Sequence, residues 1–122
     1  MSFYLVLTGD FGNFKGTLSQ TYERPFRLTG DWEVAITYLR CQDKGSAVYV
    51  DCDLVDYSYF NKERSQLLHV SDLKSYSINR PQYVKVIKKR FWTINMKFAT
   101  NSNVSDFRST LDVICVLHFR KA

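Results

Sequence analysis

Apolar and polar residues alternate in short runs along most of the chain. That is the spacing of half-buried β-strands, not of helices. Phe3-Tyr4-Leu5-Val6-Leu7-Thr8 predicts a first strand, stopped at Gly9-Asp10, where a stretch rich in turn residues begins. Phe14 to Ser19 predicts a short second strand, and Pro25 restricts the residues after it to a sheet edge or a strand start. Phe26 and Leu28 alternate with Arg27 and Thr29 before Gly30-Asp31 turns the chain. Trp32, Val34, Ile36 and Tyr38 then fall at spacing two, which places them together on a core face. Val48, Val50, Cys52 and Leu54 form the next inward set, with Tyr49, Asp51 and Asp53 opposite.

The polar and aromatic stretch Tyr57 to Arg64 reads as a loop, and Leu67-Leu68-His69-Val70 as a short apolar strand. Trp92, Ile94, Met96 and Phe98 alternate with Thr93, Asn95 and Lys97, so the pattern places Trp92 in the core. Leu111, Val113, Cys115, Leu117 and Phe119 share one face of a long last strand. Ile114 and Val116, on its other face, suggest that both faces are covered near the middle. About eight short strands separated by turn signals predict an all-β sandwich or barrel. They suit a compact single jelly-roll sandwich of antiparallel strands, one domain spanning residues 1–122. Alternation does not fix the order in which the strands pair.

Composition agrees with this picture. The 122 residues fit one domain with a sizeable core. Hydrophobic residues make up 45% and aromatics 16%, an enrichment that suits pleated sheets. The net charge of +5 permits weak attraction to nucleic acid or acidic surfaces without establishing it. The three cysteines, Cys41, Cys52 and Cys115, lie in apolar, strand-like runs without metal or redox spacing. They read as buried free thiols made in a reducing compartment. No apolar run approaches the roughly 20 residues that span a bilayer, and no targeting segment is evident, so no membrane partner is expected. Asn103-Val104-Ser105 is a formal glycosylation sequon, read as coincidental.

Taken in order, the strand blocks resemble the small capsid proteins of Maverick/Polinton-type mobile DNA elements and their viral relatives. The resemblance runs through Phe3–Leu7, Asn13-Phe14, Leu18 and Pro25-Phe26-Arg27-Leu28. Its most specific segment is Gly30-Asp31-Trp32-Glu33-Val34-Ala35-Ile36. It continues through Val48-Tyr49-Val50-Asp51-Cys52-Asp53-Leu54, Leu67-Leu68-His69-Val70, Tyr83-Val84-Lys85-Val86 and Trp92-Thr93-Ile94 to Leu117-His118-Phe119-Arg120. No single motif decides it; the collinear series carries it. Family members usually hold a long segment between the elements matching Cys41 and Ala47, where this chain has only a few residues. The chain thus resembles a minimal version.

The resemblance implies a penton-type minor capsid protein with a jelly-roll fold. It also implies a homo-oligomer such as a ring, for instance a pentamer, other capsid proteins as partners, and a place in the virion after synthesis inside the host cell. Ring contacts of that kind favour aromatic residues. Tyr57, Tyr59 and Phe60 are the candidates, against the alternative that they pack over the sandwich end.

Catalytic and metal chemistry find little support. Two histidines, His69 and His118, lie in strand-like runs, and no spacing brings Cys52, Cys115 and His118 into a ligand set. Asp51 and Asp53 share a strand face and read as its solvated side, not as a cation site or an acid–base pair. No catalytic residue, cofactor or metal is therefore expected. The one patch with binding promise is basic: Arg80, Lys85, Lys88, Lys89 and Arg90, beside Phe91 and Trp92. Cations interleaved with aromatics bind single-stranded nucleic acid through phosphates and stacking. A solvated loop or subunit contact is favoured over that reading. The alternative function is thus a small basic β-barrel module for single-stranded nucleic acid.

Overall fold

Among the described residues the alternating pattern becomes ten strands. They are β1 (Ser2–Gly9), β2 (Thr17–Arg27), β3 (Trp32–Arg40), β4 (Val48–Cys52), β5 (Tyr57–Tyr59), β6 (Glu63–Ser65), β7 (Leu67–Ser71), β8 (Val84–Lys85), β9 (Arg90–Thr100) and β10 (Val113–Lys121). This computed structural model describes residues 1–10, 16–40, 48–55, 57–59, 63–65, 67–71, 78, 80–100 and 112–122. Among them there is no helix. The expected all-β sandwich is what forms. Eight strands build two four-stranded antiparallel sheets, ordered β1-β10-β3-β8 and β2-β9-β4-β7. The other two form a hairpin, Tyr57↔Ser65 through Tyr59↔Glu63, where the sequence predicts a loop. The backbone pairs there despite the polar composition of the stretch.

With that hairpin set aside, the remaining eight strands pair first with last, second with seventh, third with sixth and fourth with fifth. The β10·β3 and β9·β4 ladders join these pairs into the two sheets. Chain ends distant in sequence thereby become neighbours: Ser2 stands opposite Arg120, and Gly9 opposite Val113.

The core lies between the sheets. One contributes Leu7, Val34, Ile36, Leu39, Cys115, Leu117 and Phe119; the other contributes Leu18, Val50, Cys52, Phe91, Ile94, Met96 and Phe98. At one end four phenylalanines close a ring across the sandwich. Phe3 and Phe119 are register partners in one sheet, with ring centroids 4.8 Å apart. Phe26 and Phe91 are partners in the other, 5.2 Å apart. Phe3 stacks across on Phe26 at 5.8 Å, and Phe119 on Phe91 at 6.3 Å. Such offset aromatic pairs add about 0.5–1.5 kcal/mol each beyond the area they bury.

Two irregularities overturn face assignments made by alternation. In β3 the register against β10 shifts where Val116 pairs with Tyr38 but Leu117 with Ile36. Thr37 is the extra residue of this bulge, so Leu39 is buried and Tyr38 is not. In β2, Thr21 pairs with Thr93 and Phe26 with Phe91. Tyr22, Glu23, Arg24 and Pro25 therefore oppose Trp92 alone. Pro25 has no N–H to give a ladder, and it sits in this distortion on an edge strand, where proline is tolerated. Opposite it, β9 loses strict alternation: Phe91 is buried, while Trp92 is 46% exposed. Ile114 and Val116 are half-buried on the outer face of β10.

Candidate functional site

The turn from Leu28 to Asp31 organises one end of the sandwich. Gly30 adopts φ +87°, a conformation that L side chains avoid. The Leu28 N–H donates to the Lys89 carbonyl at 2.7 Å, and the Ala122 N–H donates to the Asp31 carbonyl at 3.0 Å. The indole N–H of Trp32 closes the turn on the Thr29 carbonyl at 3.0 Å. Three distant segments meet here: the end of β2, the stretch before β9 and the end of β10.

The basic candidates divide between two places. Lys85 lies on β8 opposite Glu33, beside the Glu33–Arg120 ion pair of 2.6 Å. Arg80 is exposed ahead of β8. Lys88, Lys89 and Arg90 are exposed at the turn end. There Lys89 Nζ lies 3.8 Å from Asp31 Oδ1, and the Arg90 guanidinium sits 4.8 Å from the Trp92 ring centroid. Two further cations join that are distant in sequence. Arg27 is the register partner of Arg90, and Lys121 Nζ comes within 3.9 Å of where a Gly30 Cβ would stand. Neither Arg27 nor Lys121 is signalled by local pattern, because both are brought in by strand pairing. Pro25 is the sequence signal for the displaced Trp92.

The first sheet presents a second surface. Its edge strand β1 pairs with β10 without a bulge and carries no charged residue and no proline. Tyr4 and Val6 project outward, 60% and 55% exposed. Tyr4 stacks on His118 at 4.4 Å, and the Tyr83 hydroxyl hydrogen-bonds His118 Nδ1 at 2.6 Å. The Arg120 guanidinium caps the Tyr83 ring at 3.4 Å. Tyr57 and Tyr59 lie on β5 of the separate hairpin, and Phe60 lies outside the described residues.

The carboxylates considered for acid–base work have structural partners. The Asn95 backbone N–H and side-chain amide donate to the two oxygens of Asp53 at 3.1 and 3.0 Å. Ser19 in turn donates to Asn95 Oδ1 at 2.6 Å, tying β2, β9 and the end of β4 together. Burial raises the Asp51 pKa, opposed by the nearby Lys97 charge. Burial also pushes the Cys52 thiol up to about 12. Among the described residues no group of three or more His, Cys, Asp or Glu converges as a metal site.

Comparison with known proteins finds no matching family model, no matching curated protein and no matching solved structure. The functional reading therefore rests on the chain's own geometry and pattern.

Proposed function

We propose that this chain is a non-enzymatic structural protein of a virus or virus-like mobile element, a jelly-roll capsid subunit of the penton type. The observation that carries the reading is the pairing scheme, first strand with last through fourth with fifth, distributed over two stacked sheets. A long hairpin rolled in this way is how a jelly roll is wound, and such domains build viral capsids as well as lectins and cupins. Because fold alone does not choose among these, the surface must. Natural edge strands are blunted by lysine, proline, bulges or brevity, because an open edge recruits another chain. β1 runs for eight residues with none of these devices and adds outward Tyr4 and Val6. An edge and face of this kind support assembly with further copies or with other capsid proteins.

Light scattering coupled to size-exclusion chromatography, over a range of protein and salt concentrations, tests the reading. The expected result is a discrete closed oligomer, a pentamer for the penton-type subunit, that Val6→Lys or Tyr4→Lys dissociates. A chain that stays monomeric at high concentration and in the presence of candidate shell proteins counts against it.

A further inference from the structure

We propose that the turn end of the sandwich is a binding surface for single-stranded nucleic acid, built from Arg27, Lys88, Lys89, Arg90, Lys121 and the exposed Trp92. This inference stands apart from the assembly reading and is tested on whatever oligomer the protein forms.

Three observations carry it. First, Arg27 and Arg90 stand directly opposite each other on β2 and β9. Like charges in that relation destabilise a strand pair. Neither guanidinium has a carboxylate partner among the described residues, so the pair is an unneutralised concentration of positive charge. Second, the same end brings Lys89 and Lys121 to the Leu28–Asp31 turn, with Asp31 engaged by Lys89 and the exposed Lys88 next to it in the chain. A phosphate chain running past the turn meets cations from three segments. Third, Trp92 projects from this ground and is not part of the core, with Arg90 against its ring. An exposed indole flanked by guanidinium offers a base a stacking platform beside its phosphate contacts.

The geometry also bounds the path. On the β4 side of β9, Asp51 and Asp53 lie beside Lys97 and Asn95, so negative charge there deflects a polyanion towards β2. Duplex DNA keeps its bases stacked inside and gives Trp92 nothing to stack on. A single strand does.

The test is titration of the intact protein with fluorescein-labelled oligothymidine of about 16 nucleotides, following anisotropy and tryptophan emission at several salt concentrations. Trp32 is buried, so quenching reports on Trp92. Binding should weaken as salt rises, and it should quench the tryptophan. Trp92→Ala should remove the quenching and weaken binding about tenfold or more. Arg27→Gln with Arg90→Gln should flatten the log–log salt slope by about 1.4. These two substitutions relieve a like-charge pair, so the variant should melt no lower than the parent. If it does unfold, quenching in the parent still decides. Absence of binding at low salt, binding without Trp92 quenching, or equal affinity for a duplex of the same length would each overturn the proposal.

Discussion

Phe91 and Trp92 are adjacent in the chain and face opposite ways: the first is fully buried in the phenylalanine ring, and the second is half exposed beneath Arg90. Their energetic roles differ accordingly. Phe91→Ala leaves a hole between Phe26 and Phe119 and should cost about 3–5 kcal/mol. Trp92→Ala removes a half-exposed ring that leaves no core cavity and should cost less, about 1 kcal/mol. Urea melts of the two variants check this, and comparable losses would show that Trp92 carries core packing after all.

Gly30 should resist substitution. Space is not the obstacle, since among the described residues a Cβ there meets only Lys121 Nζ, at 3.9 Å. The obstacle is φ +87°, so Gly30→Ala should lower stability by about 1 kcal/mol or more. Thermal melts against the parent measure it; an unchanged midpoint would mean that the turn relaxes freely.

Cys52 and Cys115 should stay unreactive in the native protein. Both side chains are fully buried. Desolvation, followed by the carboxylates of Asp53 and Asp51, raises the Cys52 pKa against the Leu54 backbone hydrogen bond, so the nucleophilic thiolate is scarce at neutral pH. Iodoacetamide labelling read by peptide mass spectrometry should modify these two positions only after denaturant is added. Rapid native labelling of Cys52 would contradict its burial.

Asp51 predicts a pH effect of defined sign. Burial, the largest cause, raises its pKa above the ordinary value, so the folded chain holds this proton more tightly than the unfolded chain. The resulting stabilisation is full below the ordinary Asp range and is lost as pH rises through the raised value. Asp51→Asn should therefore melt slightly above the parent near pH 7, with the gap closing towards about pH 3. A variant that melts lower near neutrality would show that the Lys97 attraction outweighs burial.

Much of the fold is legible in the sequence because period-two alternation is a direct image of a half-buried sheet. Val50, Cys52 and Leu54 are buried as their spacing predicts, and so are Val113, Cys115, Leu117 and Phe119. Alternation fails where the ladder slips. Tyr38 and Trp92 each lie at an irregularity whose partner strand is far away in sequence, so no local window contains the cause. The candidate site is half legible for the same reason. Lys88, Lys89 and Arg90 form a visible run, whereas Arg27 and Lys121 join them only through pairing. The β1 edge is readable as an uncharged strand, but its open side comes from sheet order alone.

The position of β10 has a consequence for biosynthesis. This strand lies between β1 and β3, which reach the ribosome exit long before it does. Until residues 113–121 emerge, both earlier strands lack the partner that joins them, and the Phe3 ring lacks Phe119. The first sheet therefore cannot close before that strand has emerged. Until then its apolar ladders wait exposed, the condition in which unpaired strands are open to wrong partners.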